Sequence, residues 1–74
     1  MSNPTQTIET YEAKIEELAN RTNLDQFQIN GAICMNIFRI SRLQSDDPIE
    51  QHTAYNSLVE KYRNLGYIKD INTD

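Results

Sequence analysis

Few residues in this chain could do chemistry. Cys34 is the only cysteine and His52 the only histidine, and carboxylates cluster at Asp46, Asp47 and Glu50. A nucleophilic thiol needs a base within hydrogen-bond reach, and a general base needs a positioned partner. Cys34 and His52 fall on different predicted helices, and their spacing gives no reason for them to meet. Cys34 is expected to pack as a small hydrophobe on an arc with Phe27 and Phe38. His52 is expected to be a partly exposed surface residue.

One cysteine and one histidine cannot complete the four-ligand sites zinc prefers. Pro48 and the missing loop glycine exclude a calcium-loop pattern around Asp46, Asp47 and Glu50. Those carboxylates are better explained as charges at the positive end of a helix. No glycine-rich phosphate loop is present. The expectation is a non-enzymatic chain with no cofactor and no metal.

The elements that position these residues must fit into 74 residues. A chain of that size buries only roughly 60% of its unfolded surface, so one domain with one small core is expected, over residues 1–74. A lone cysteine allows no intrachain disulfide, which fits a reducing compartment. Oligomerisation or partner binding is then the expected source of extra burial. No apolar run approaches the ~18 residues of a membrane span. Met1-Ser2-Asn3-Pro4 has neither the basic flank nor the apolar stretch of a signal peptide, so the expected location is cytoplasmic.

Three helices follow from caps and periodicity. Asn3-Pro4-Thr5-Gln6 carries helix-start chemistry, and Ile8, Tyr11, Ile15, Leu18 and Ala19 keep the three-four spacing of an amphipathic helix over about 4–21. Glu9, Glu12 and Glu16 line one edge of that stripe. Thr22-Asn23-Leu24-Asp25 reads as a capping box with Thr22 as cap, favouring a turn over a continuous rod. A second helix then runs over about 24–44. Asp47-Pro48-Ile49-Glu50 opens a third, over about 48–65, with Gly66 placed to end it and Tyr67 or Ile68 to fold back. Lys69 to Asp74 is expected to fray. No strand pattern or repeat survives, and the fold class is all-α, a small three-helix domain.

The second helix is apolar on two sides. At about 100° per residue, Leu24, Phe27, Gly31, Cys34, Met35 and Phe38 gather on one side, and Ile29, Ile33, Ile37, Ile40 and Leu43 on the other. Such a helix must be covered twice. Either helices 1 and 3 flank it on opposite sides, or they share one side and leave the other to a second molecule. The latter buries more area and is preferred. The isoleucine side, Ile29, Ile33, Ile37 and Ile40, is expected to be intermolecular, with Glu9, Glu12 and Glu16 as an acidic edge.

Net charge is −4, distributed as −3 over residues 1–20, +2 over 21–44 and −3 over 45–74. The alternation predicts that helices 1 and 2 pair by charge, Glu12 or Glu16 meeting Arg39 or Arg42. The negative total argues against nucleic acid as a partner. These features point to a module that binds another protein, as inhibitor, adaptor or small chaperone, and that forms a homodimer. The alternatives are a self-assembling structural subunit and an acidic helical DNA-binding regulator.

Overall fold

The structure, a computed structural model, describes residues 4–70, with side chains from residue 7 onward. Three helices account for most of it: α1 Pro4–Ala19, α2 Gln26–Gln44 and α3 Pro48–Asn64, with no strand among the described residues. Pro4 takes the first helical position of α1, where its fixed φ suits the turn. The expected pairing of Asn3 with Gln6 lies outside the described residues and side chains.

The chain does turn between α1 and α2, but the cap is not Thr22. Asp25 caps α2: its carboxylate accepts from the Gln28 N–H at 2.9 Å, and the Gln28 amide accepts from the Asp25 N–H at 3.2 Å. Choosing this box over the one at Thr22 puts Leu24 immediately before the cap and Ile29 at the fourth helical position. Leu24 packs on the core cluster that contains Ile29, as a hydrophobic staple. A cap at Thr22 would place Arg21 and Gln26 at those positions, which have nothing apolar to join. The staple decides the boundary, and α2 begins two residues later than expected.

Asp47 caps α3 as expected, accepting from the Ile49 N–H at 3.1 Å, with Pro48 next. Glu50 does not close the box directly. Ser45 stands between them: its hydroxyl accepts from the Asp47 N–H at 3.1 Å and donates to Glu50 Oε2 at 2.6 Å. The far end of α3 is a complete Schellman motif. Gly66 adopts φ +86°, its N–H donates to the Arg63 carbonyl, and the Tyr67 N–H donates to the Tyr62 carbonyl at 2.9 Å. That turn sends Tyr67 beside Tyr62, centroids 5.5 Å apart, and buries Ile68.

Residues 67–70 are not loose, contrary to the expected fraying from Lys69 onward. Asn30 brackets the Lys69 backbone, donating to its carbonyl at 2.6 Å and accepting from its N–H at 3.1 Å. The remainder of that expectation, residues 71–74, lies outside the described residues.

Among the described residues the buried apolar side chains join one cluster: Ile15 and Leu18 from α1, Ile29, Ile33, Ile37 and Ile40 from α2, Tyr62 from α3, and Ile68 after it. α2 packs against both other helices, while no Cα of α1 comes within 8 Å of α3. α1 lies along the Asn36 and Arg39 flank of α2, and α3 along its Cys34 and Phe38 flank. They converge over the isoleucine stripe and share one side of α2.

Candidate interaction surface

The isoleucine stripe is not an intermolecular surface. Ile33 and Ile37 are 0% exposed, and Ile29 and Ile40 are also buried, all within the chain's own core. The wheel reading separated the four isoleucines from Phe27, Met35 and Phe38 but chose the wrong side as free, and Leu43, placed with the isoleucines, is exposed at the end of α2. Leu24 is a further correction. It precedes α2, so it does not share the Phe27 face, and it packs inward instead.

What remains open is the opposite face. Phe27 is 73% exposed, Met35 53% and Phe38 45%, and Gly31 lies among them with no side chain. Water contact on this scale by three large apolar side chains on one helix face is the kind of patch that marks a binding surface. The face continues into an open groove between α2 and α3, of 620 Å³, walled by Cys34, Met35 and Phe38 on one side and Pro48, His52 and Tyr55 on the other. Phe38 meets Tyr55 edge-on, centroids 6.5 Å apart at 75°. The Arg42 guanidinium stands 5.5 Å from the Phe38 centroid, a cation–π contact at the rim.

Cys34 and His52 do line the same groove, which the spacing did not foretell. No hydrogen bond joins them among the described residues. His52 Nε2 is paired with the Asn56 amide at 3.2 Å on the same helix. Half-buried Cys34 sits against Tyr55, whose hydroxyl is pushed above the usual tyrosine range, by burial first and then by the neighbouring thiol. The chemistry available is an apolar trough with one thiol, one imidazole and a guanidinium at its edge. Among the described residues no group of three metal-ligating side chains comes together, and no helix is long and apolar enough to cross a membrane.

The acidic edge also sits elsewhere than expected. Glu9 and Glu16 are exposed and Glu12 is half-buried, and none of them pairs with Arg39 or Arg42. Their edge of α1 turns towards α3, where Glu12 and Glu16 help raise the Tyr62 hydroxyl, after burial as the larger cause. Arg39 faces the opposite edge of α1, beside Tyr11, Lys14 and Glu17. Glu17 is already held by Arg21 at 2.7 Å and Lys14 at 3.6 Å. Ion pairing among the described residues is therefore local, and apolar packing of Ile15 and Leu18 against the α2 isoleucines joins α1 to α2. Exposed pairs are weak enough that core packing sets the rotation of α1 against them.

One signal in the sequence could have found the open face. Gly31 interrupts it in mid-helix, where glycine weakens a helix and gives a core nothing to pack. Comparison with family models, with curated proteins and with solved structures finds no match for this chain.

Proposed function

We propose that this chain is a small non-enzymatic protein–protein interaction module that docks its partner on the Phe27, Met35 and Phe38 face of α2. The observation that carries the reading is the combination of a closed core with a second apolar face left in water on the same helix. A helix that has already buried its isoleucines has no folding reason to present two phenylalanines and a methionine outward. The groove beside that face offers depth for an inserted side chain, and Arg42 offers a charge at its rim. Inhibitor, adaptor and small chaperone are the roles such a surface serves.

The test is site-specific photocrosslinking. A photoreactive residue at Met35 should capture a protein, and one at the solvent-facing Glu60 should not. Phe27→Asp should abolish the Met35 adduct while circular dichroism stays helical. Equal capture from both positions, or from neither, would sink the reading.

A further inference from the structure

Resting on that reading, we propose that the occupant of the open face is a second copy of this chain, the two α2 helices crossing antiparallel about a dyad between Cys34 and Met35. Three features of the face make it complementary to itself, and a dyad uses each of them twice.

The first is shape. About the midpoint of residues 34 and 35, Phe38 of one copy stands opposite Gly31 of the other. A Cβ built at Gly31 meets nothing within 4 Å, so nothing in the chain itself requires glycine there, although glycine weakens a helix interior. An incoming aromatic ring supplies the missing reason, since only glycine leaves the backbone open to it.

The second is a cation–π contact. Arg42 lies in the last turn of α2, and in the antiparallel pair it stands opposite Phe27, in the first turn of the other copy. The guanidinium already rests on a phenylalanine ring within its own chain, so this contact repeats chemistry the face displays. The two Arg42 groups lie about 22 Å apart along the axis, well beyond a screening length.

The third is area. Phe27, Met35 and Phe38 together expose roughly 350 Å², scaling their exposures by typical side-chain areas. A standard interface takes about 800 Å² per partner, and the rim residues Gln28, Arg42 and His52 supply the balance only in part. The dimer is accordingly weak and exchanges with monomer.

The experiment is light scattering of the full chain from low micromolar to near-millimolar concentration, for wild type, Phe38→Asp and Gly31→Gln. Wild-type mass should rise to that of two chains and stop, and a short bismaleimide should link Cys34 to Cys34. Phe38→Asp should stay a single chain. Gly31→Gln should separate folding from pairing, melting higher than wild type because a helix-favouring side chain has room, yet no longer dimerising. A mass that grows past two copies overturns the proposal, as does a dimer that survives both substitutions. A wild-type chain that stays single also overturns it. If Met35 then still captures a different protein, the interaction reading stands without the second copy, and if it captures nothing, both fall.

Discussion

Ile33→Ala tests which side of α2 is the core. Ile33 is 0% exposed, at the centre of the cluster. The substitution removes three carbons, worth about 2.4 kcal/mol at ~0.8 kcal/mol each, and the cavity left behind adds to this, for a total of about 3 kcal/mol within the usual range of ~2–5. A 74-residue domain has on the order of 4–11 kcal/mol to lose. At ~4–8 °C per kcal/mol in a domain this size, the melting temperature should fall by about 12–24 °C. The control is Phe27→Ala, which removes a larger side chain that is 73% exposed and should stay within about 0.5 kcal/mol. Both are compared by circular-dichroism melts at dilution, where no intermolecular contact contributes. A Phe27→Ala loss exceeding that of Ile33→Ala would refute the assignment of faces.

The remaining predictions concern the chain's carboxyl end and its pH dependence. Gly66→Ala should cost about 1–2 kcal/mol in urea titration, because Gly66 sits at φ +86° with open space around it and the penalty is purely that of the left-handed backbone. Asn30→Ala should leave α2 helical while the Lys69 amide loses its hydrogen-exchange protection, since its N–H donates to the Asn30 side chain, which also holds the Lys69 carbonyl. Tyr62 is neutral when protonated and its folded pKa lies above the ordinary 10.0, by burial first and then through Glu12, Tyr67 and Glu16. Its contribution is complete below about pH 10 and lost as pH rises through the folded value, so Tyr62→Phe should move the alkaline unfolding limb upward. An unchanged limb would exclude Tyr62 as the group responsible.

The helices were legible because their ends are written in local chemistry. Asp47-Pro48 and Gly66 each specify a backbone conformation that few other residues would, and the structure uses all three as such. The Asn30 clasp on Lys69 was not legible, since a bond between residues so far apart depends on the fold being already formed. Charge misled for a related reason. Segment totals of opposite sign say that two helices can attract, but the rotation of α1 about its own axis is set by Ile15 and Leu18 entering the core. That rotation carries Glu12 and Glu16 towards α3 and leaves Lys14 and Glu17 on the Arg39 side.

The inward side of α2 was specified twice at its amino end, in residues whose meaning depends on one local choice. If Asp25 and Gln28 form the capping box, Leu24 and Ile29 become the staple, and the chain must approach α2 from the Ile29 side. Asn30 and Ile68 repeat the instruction at that same end of α2, returning the segment after α3 to the inward side of the helix. Reading Thr22 as the cap removes the first instruction and leaves two apolar stripes of nearly equal merit. The stripes differ in one more respect: Ile29, Ile33, Ile37 and Ile40 form an unbroken ridge, whereas Phe27, Met35 and Phe38 surround the gap at Gly31. A core rewards the continuous ridge with dense packing. A face with a gap is poor core material and becomes useful only when something from outside fills it.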